Sequence, residues 1–184
     1  MKIETIEIFG FASAFRALRL PFNGTHKSDS LMNVGIEIEN QTIHYGGYFR
    51  YGLKDLKLLQ SLVKNGDEHA KVVRGIIVSA SIIAPRYWWQ ECETYRIGHE
   101  RLSSQSTMHI EAKGLTGEEL QKLKSEIKEG LEQERIDEFS YQTLRRIYFQ
   151  RKPHRLPEWH HFCKWIEELP LAKELITIGE YNDN

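Results

Sequence analysis

Cysteine is scarce in this sequence, whose 184 residues include only two. Cys92 and Cys163 lie far apart in the chain, and neither belongs to a Cys-x-x-Cys pair. We therefore expect reduced thiols in the core rather than a disulfide framework or a zinc site, and no metal is predicted. Long apolar runs and a signal-like start are also lacking, which predicts a soluble, cytoplasmic protein without a membrane partner.

An excess of charge of one sign is lacking too, since the net charge is -1 and the isoelectric point is about 6.7. No global field would attract such a protein to DNA, and extended binding to nucleic acid is not expected. The Gly-x-Ser-x-Gly motif of hydrolases, the His-Glu-x-x-His zinc motif and the P-loop are all absent. The chain is long enough for one domain with a real core, and we predict a single domain over residues 1–184.

What the sequence does contain is a succession of short periodic segments. The elements predicted in the first half are a strand over 1–10, a helix over 11–20 that Pro21 stops, a β-hairpin over 32–47 with Asn40 and Gln41 near its turn, and a helix over 53–66. Those predicted in the second half are a strand over 71–85, a helix from Pro85 to Gly98, a polar loop over 99–109, a charged surface helix over 115–138, two helices separated by a break at Pro153, and a frayed end over 178–184.

The first of three polar clusters lies in residues 84–109. Arg86, Gln90 and Glu93 fall on one stripe of the predicted helix, and a loop rich in serine, histidine and arginine follows. Hydroxyl, imidazole and guanidinium groups together suit a phosphate or the edge of a nucleobase. Alternatively, the two tryptophans and Tyr95 belong only to the core and the loop is merely solvated.

The second cluster lies in residues 143–155, where arginines and lysine alternate with aromatic side chains. Arginine binds phosphates through two parallel hydrogen bonds, and aromatic rings can stack on bases. Alternatively, this is a surface helix paired with the acidic segment before it. We favour that alternative for Arg145 and a functional role for Arg151, which lies just before Pro153.

The third cluster is the short segment 25–30, Thr-His-Lys-Ser-Asp-Ser. Its small polar side chains and Lys27 could hold a phosphate. Alternatively, the segment is only a turn in which Asp29 caps a neighbouring element.

The strand IIVSASIIAP, the following RYWWQECETYR and the serine-rich loop resemble the flavin-dependent thymidylate synthases, the ThyX family. The segment LVKNGDEH and the Arg-x-Trp start at Arg86 match the family pattern in position. Strings such as YWW, TYRIG, STMH and IYFQRK resemble still more closely a poorly characterised group of ThyX-like phage and prophage proteins. With the strand pattern, this resemblance predicts an α+β fold: a central antiparallel sheet with packed helices, in which the 72–83 strand is central. It also implies a homo-oligomer, since the family's sites form between the subunits of a tetramer.

This chain departs from the ThyX pattern at the residues that meet flavin. Where the family has Arg-His-Arg, the chain has Gln90-Glu91-Cys92. A carboxylate at that place would repel the anionic flavin dinucleotide, so no cofactor is expected, and FAD only if the family's activity is retained. Arg151 does stand where the family has an arginine for the nucleotide phosphate.

Three functions are compatible with these features, and whether the protein is an enzyme stays open. The first is a ThyX-like nucleotide-binding protein, encoded by a phage or prophage, that sequesters a nucleotide signal or acts in nucleotide metabolism. The second is an active FAD-dependent thymidylate synthase that methylates dUMP, and the third is a nucleic-acid-binding module built on the 143–155 helix. On the first interpretation, the residues predicted to bind the nucleotide are Lys27, Arg86, Tyr95, Arg96, His99, Arg101, Ser103, Ser104, Ser106, His109 and Arg151.

Overall fold

The computed structural model describes residues 1–39 and 42–179, with only the backbone described at 34–39 and 42–46. The predicted turn residues Asn40 and Gln41, and residues 180–184 of the predicted frayed end, lie outside the described residues. The strands are β1 (Lys2–Phe9), β2 (Leu31–Glu39), β3 (Thr42–Arg50), β4 (Ile77–Pro85), β5 (His99–Ser104) and β6 (Glu132–Ser140). The helices are α1 (Phe11–Ala17), α2 (Leu53–Lys64), α3 (Arg86–Cys92), α4 (Gly117–Glu126), α5 (Tyr141–Arg151), α6 (Pro157–Glu167) and α7 (Ala172–Leu175). Within these ranges, no helix is long and apolar enough to cross a membrane.

Four strands form one antiparallel sheet in the order β1-β4-β6-β5, while β2 and β3 form a separate hairpin. β4 is an inner strand, because Ile82 pairs with Ile3 of β1 on one side and with Arg135 of β6 on the other. The predicted α+β fold with an antiparallel sheet is confirmed, as is the inner position of the strand predicted near its centre. Residues 71–75, which were predicted to begin that strand, instead form a short 3-10 helix.

One face of the sheet carries the hydrophobic core. Val78, Ala80, Ile82 and Ala84 alternate along β4 and are fully buried, because successive side chains of a strand point to opposite faces. Side chains from α1, α2, α3, α5 and α6 join them in one buried cluster. The helices therefore pack on this face, and the loops at their ends determine where functional side chains lie.

The core contains both tryptophans of α3 and both cysteines. Trp88 and Trp89 are completely buried, with ring centroids 4.8 Å apart, so their interpretation as core residues is confirmed. Cys92 and Cys163 are free and buried, as expected. Burial raises the pKa of both thiols, and that of Cys163 reaches about 12. Because the thiolate is the reactive form, these cysteines are inert packing groups.

The charged surface helix predicted over 115–138 is wrong in its second half, which forms β6. The charged side chains of this strand meet partners on neighbouring elements. Glu138 accepts a hydrogen bond from the Ser79 hydroxyl (2.8 Å), and the Asp137 carboxylate lies 2.7 Å from the His99 ring nitrogen. Pairing with β4 and β5 therefore overrides the helical propensity of this glutamate-rich segment.

The helix predicted from Pro85 to Gly98 is also shorter than expected, since α3 ends at Cys92. Residues 99–104, predicted as a loop, form the edge strand β5. Gly98 makes this turn possible, because its φ is +72° and a Cβ at this position would lie 2.5 Å from the Ser140 hydroxyl oxygen. The chain can therefore reverse tightly here and pair along β6.

The segment 25–30 is held by the start of α2. Asp29 accepts hydrogen bonds from the backbone N–H groups of Lys54 (2.9 Å) and Asp55 (3.0 Å). These donors are among the N–H groups that have no partner within the helix itself. The turn with an Asp29 cap, one of the two interpretations of this segment, is therefore present.

Asp55 is the polar centre of the same region. Its fully buried carboxylate accepts hydrogen bonds from Arg19 (2.5 Å), Ser28 (2.5 Å) and Ser30 (2.7 Å). Burial acts to raise the pKa of Asp55, but the two hydroxyls and the guanidinium outweigh it and hold the pKa below 3.8. The carboxylate is therefore ionised, and it joins the turn to α2.

We predict that Asp55→Ala lowers the free energy of unfolding by about 3–5 kcal/mol, because it leaves the Arg19 guanidinium, only 15% exposed, without its anion. Urea denaturation measures this loss. Glu68→Ala is the control, since Glu68 makes only a surface ion pair with Lys71 and should change stability by less than about 0.5 kcal/mol.

The hydrogen bonds of Asp55 also make the stability of the fold depend on pH in the acidic range. Because the folded pKa of Asp55 is lowered, its contribution is present above its ordinary pKa of 3.8 and is lost as pH falls through the folded value. Asp55→Ala should therefore flatten the acid limb of the stability profile. Equal stability of Asp55→Ala and wild type near neutral pH would contradict this account.

Candidate functional site: an arginine cleft beside α3

An open cleft of about 590 Å³ lies between the end of α3 and the second half of α5. We call it the arginine cleft, and its lining residues are Thr94, Tyr95, Arg96, Ile97, Arg146, Gln150 and Arg151. Three of the predicted nucleotide-binding residues, namely Tyr95, Arg96 and Arg151, are brought together here. No carboxylate is among the lining residues in the part of the chain that the structure describes.

The junction between β6 and α5 fixes the two walls of the arginine cleft against each other. The Ser140 hydroxyl accepts a hydrogen bond from the backbone N–H of Thr143 (3.1 Å), which caps α5. The Thr143 hydroxyl in turn donates to the carbonyl oxygen of Ile97 (2.6 Å). The loop that carries Tyr95 and Arg96 is therefore held at the start of the helix that carries the other arginines.

Tyr95 forms the floor of the cleft. Its ring is buried, and the guanidinium groups of Arg146 and Arg151 lie 5.6 Å and 5.4 Å from the ring centroid. These distances are within the range of cation–π attraction. Burial raises the pKa of the Tyr95 phenol, although the hydrogen bond from Arg151 opposes the shift. The phenol therefore stays protonated at neutral pH.

Arg96 and Arg146 are the cations of the cleft that other side chains do not neutralise. Arg96 is exposed, and no described carboxylate pairs with either guanidinium. The Nε–H group of Arg146 is buried and has no acceptor among the described residues. Arginine without an internal anion is suited to bind an external one, and phosphate offers matching acceptors.

Arg151, by contrast, already has an internal anion. Its Nη1 donates to the Glu91 carboxylate (2.8 Å), its Nε donates to the Tyr95 hydroxyl (2.7 Å), and its guanidinium lies 4.6 Å from the centroid of the Trp159 ring. Trp159 donates to the same Glu91 oxygen (2.8 Å), and His154 lies 3.5 Å from it. Arg151 is therefore also a structural residue, because this side chain joins α5 to α3 and α6.

His99, another predicted ligand-binding residue, lies in the core instead. Its ring is buried, stacks on Phe139 with centroids 4.4 Å apart, and contacts Asp137 at 2.7 Å. The start of β5 places it beside β6, where Phe139 covers one face of the ring and Asp137 lies within hydrogen-bond distance of Nε2 at the ring edge. The structure gives His99 a role in strand pairing and not one in the cleft.

The remaining predicted residues lie outside the arginine cleft of the chain. Arg101 pairs with Glu93 (2.6 Å) on the surface. Lys27 lines a separate, largely apolar cavity with Leu18 and Phe22. Four further residues lie on the exposed side of β5 or in the turns that follow it: Ser103, Ser104, Ser106 and His109.

The basic 143–155 segment is not the continuous surface that a nucleic-acid-binding helix would need. Arg145 is buried and donates hydrogen bonds to the carbonyl oxygens of Ile176 and Ile178, both at 2.6 Å. Arg145 therefore has a structural role, but it is buried and holds the C-terminal segment, unlike the surface arginine that we expected. Lys152 donates to the Tyr148 hydroxyl (2.6 Å), whereas Arg146 and Arg151 lie over the Tyr95 ring. The basic residues therefore point in several directions and hold different neighbours.

A second polar region lies on another side of α3, and we call it the polar cavity. It has a volume of about 440 Å³ and is lined by Arg86, Gln90, Glu93, Thr107, Lys124, Gln133 and Arg135. Of the predicted nucleotide-binding residues it contains only Arg86. Sequence analysis missed Lys124 and Arg135 because both were assigned to a solvated helix face. Arg146 was noticed in its basic cluster, but nothing in the local pattern separated it from Arg145.

Two solved structures of the flavin-dependent thymidylate synthase ThyX from Helicobacter pylori, both with FAD and dUMP, are similar to this chain. Each has a TM-score of 0.70 and 13% sequence identity. One match covers 99% of this chain and 100% of that chain, and the other covers 96% and 97%. The predicted ThyX-like fold is confirmed, while identity this low establishes the fold alone. No protein-family model matches the chain, and no curated protein matches it.

A metal site is not evident either. Over the ranges that the structure describes, no three histidine, cysteine, aspartate or glutamate side chains converge on a point where an ion could bind. The polar groups that line the cleft are arginines, hydroxyls and the Gln150 amide.

We predict that Arg151→Ala lowers the free energy of unfolding by about 1.5–3 kcal/mol, the range for a hydrogen bond to a charged group. For a chain of this size, each kcal/mol lowers the melting temperature by about 2–4 °C. Glu91→Ala should cost a similar amount, and the double variant should cost less than the sum because the two residues share one contact. The exposed Arg155→Ala is the matched control. A melting temperature of Arg151→Ala equal to that of wild type would show that the pair is not structural.

Proposed function

We propose that this protein binds a nucleotide and that the arginine cleft holds its phosphate. The observation that carries the proposal is a pair of arginines without internal anions, Arg96 and Arg146, in one cleft that contains no lining carboxylate among the described residues. The ThyX-like fold supports it, because the similar structures contain dUMP and FAD. A nucleoside monophosphate matches this cleft in two ways, because its phosphate is negatively charged and its size suits a cleft of this volume.

In this arrangement the residues have distinct tasks. Arg96 and Arg146 bind phosphate oxygens directly. Arg151 is a positioning residue, because it contacts both Glu91 and the hydroxyl of Tyr95, the residue that forms the floor of the cleft. The Tyr95 ring is covered by two guanidinium groups, so the base of the ligand extends along the edge of the cleft instead of stacking on that ring.

Several of the predicted binding residues lie away from the arginine cleft of their own chain. This arrangement is the one expected of a site shared between subunits. Arg101, Ser103 and Ser104 lie exposed on the edge strand β5, and His109 lies exposed in the turns after it. We propose that residues 1–184 form one domain and that copies assemble into a homo-oligomer in which these side chains and Lys27 complete the cleft of a neighbouring copy. The resemblance of the sequence to phage and prophage proteins favours a role in sequestering a nucleotide signal or in nucleotide metabolism.

The second candidate function is FAD-dependent methylation of dUMP, and the FAD and dUMP in the similar structures favour it. Glu91 weighs against it, because this carboxylate consumes the charge of Arg151. The attraction for a pyrophosphate then depends on Arg96 and Arg146 alone. FAD is accordingly not assigned as a cofactor under our proposal.

We predict that Arg146→Ala weakens dUMP binding by about 10- to 150-fold, because a hydrogen bond between charged groups contributes roughly 1.5–3 kcal/mol. Arg96→Ala should weaken it in the same range or somewhat less, since Arg96 is more exposed and better screened. Arg155→Ala, an exposed arginine outside the cleft, should bind as wild type does. Isothermal titration calorimetry measures all three, with thermal melting as the control for folding. Unchanged affinity in Arg146→Ala with normal folding would place the site elsewhere.

We also predict that the purified protein is colourless and that FAD binds more weakly than in the micromolar range. Absorbance of the purified protein and titration with FAD test this. A flavin absorbance band, or an affinity in the micromolar range or tighter, would favour the thymidylate synthase over the first proposal. The nucleic-acid alternative has its own signature, which is strongly salt-dependent affinity for oligonucleotides together with none for mononucleotides.

A further inference from the structure

The positive charge of the polar cavity is only partly compensated by nearby carboxylates. Its lining residues include three cations and one carboxylate, Glu93. That carboxylate accepts hydrogen bonds from Arg135 inside the cavity and from Arg101 outside it. Burial acts to raise the pKa of Glu93, but the two guanidinium groups outweigh it and hold the pKa below its usual value. Glu93 is therefore ionised, and one of its oxygens is shared by two arginines.

Arg135 enters the polar cavity from the core side of β6. Its side chain is only 10% exposed, and its guanidinium lies 4.4 Å from the centroid of the Trp89 ring. Its Nε–H group is buried and has no acceptor among the described residues. Buried donors nearly always have an acceptor in folded proteins, so this group marks a place where an acceptor is missing.

The other two cations of the cavity are also weakly compensated. The Lys124 ammonium donates to the Thr107 hydroxyl, which is neutral, and no carboxylate pairs with it over the ranges that the structure describes. Arg86 lies 4.0 Å from Glu129, and Glu129 also accepts a hydrogen bond from Gln90. The cavity thus combines Lys124, which has no anion among the described residues, Arg86, whose anion is 4.0 Å away and shared, and a buried donor that lacks an acceptor.

We infer that the polar cavity is a second anion-binding site, for a small phosphorylated molecule such as a diphosphate or a phosphate monoester. Phosphate offers several acceptors around one centre, which suits donors that approach from α3, α4 and β6. The Thr107 hydroxyl and the Gln133 amide provide additional neutral hydrogen-bonding groups at the same wall. The volume of about 440 Å³ is within the range of small-molecule sites.

This site is distinct from the arginine cleft, because the two regions have no lining residue in common. Glu91 and Tyr95 belong to the side of α3 that faces α5 and α6, whereas Arg86 and Gln90 belong to the side that faces α4 and β6. The inference therefore does not rest on the proposed nucleotide function, and each can fail alone.

The test uses pyrophosphate as the probe and the full chain in a low-salt buffer. To remove binding in the arginine cleft, the titrations are made in the Arg96→Ala/Arg146→Ala background. We expect one equivalent of pyrophosphate to bind per chain in this background. Adding Lys124→Ala should weaken this binding at least about tenfold, because it removes a charge-assisted hydrogen bond. Adding Lys122→Ala should not change it, since this exposed lysine of the same helix does not line the cavity.

Arg86→Ala provides a second variant on the opposite wall and should also weaken pyrophosphate binding at least about tenfold. It is preferable to a change at Arg135, whose contact with Trp89 makes it part of the core. The inference is overturned if the background protein does not bind pyrophosphate, or if Lys124→Ala and Arg86→Ala bind it as tightly as the background does. The melting temperature of each variant shows whether the folded state is intact.

Discussion

The arrangement of helices around α3 depends on the contacts of one carboxylate, that of Glu91. One of its oxygens accepts hydrogen bonds from Arg151 of α5 and Trp159 of α6, each at 2.8 Å. Arg151 also donates to Tyr95 and lies against the Trp159 ring. A single anion thus orders three helices and the loop after α3. Because removing one partner of such a pair leaves the other charge poorly solvated, packing and polar contacts are coupled here.

The same helix separates two positively charged regions in a protein whose net charge is -1. Net charge is an average over the whole surface, whereas a ligand responds to the groups within a few ångströms of it. In the arginine cleft, Glu91 compensates Arg151, whereas Arg96 and Arg146 have no anion among the residues that the structure describes. In the polar cavity, Glu93 is shared between two arginines. Both regions therefore keep an excess of donors although the chain as a whole is nearly neutral.

Periodic patterns were sufficient to predict β1, the hairpin, α2 and β4. In α2 the reason is visible, because Leu56, Leu59 and Val63 recur at helical spacing and are all buried. β6 could not be found this way. Its charged residues meet partners that are distant in sequence, such as Ser79 for Glu138 and His99 for Asp137, so only the folded chain shows why they belong in a strand. The residues of the polar segments divide between a cleft, a cavity, an edge strand and the core. Composition indicates which chemical groups are present but not which way each side chain points. Arg145 and Arg146 are therefore indistinguishable in the sequence.

The Glu91–Arg151 pair also changes the electrostatic interaction expected between this region and a flavin dinucleotide. In the sequence, Glu91 is a lone negative charge where the ThyX family has positive ones, and repulsion of a pyrophosphate follows. In the structure the charge of Glu91 is balanced by Arg151. Glu91 therefore repels a pyrophosphate less than the sequence predicts. For the same reason, Arg151 attracts a pyrophosphate less than an unpaired arginine would. A phosphate that enters the cleft then interacts mainly with Arg96 and Arg146. Exposed charges are screened by salt within about 10 Å at 0.1 M ionic strength, so the affinity for a phosphate in this cleft should fall as salt is added, and more steeply than if a buried arginine held it.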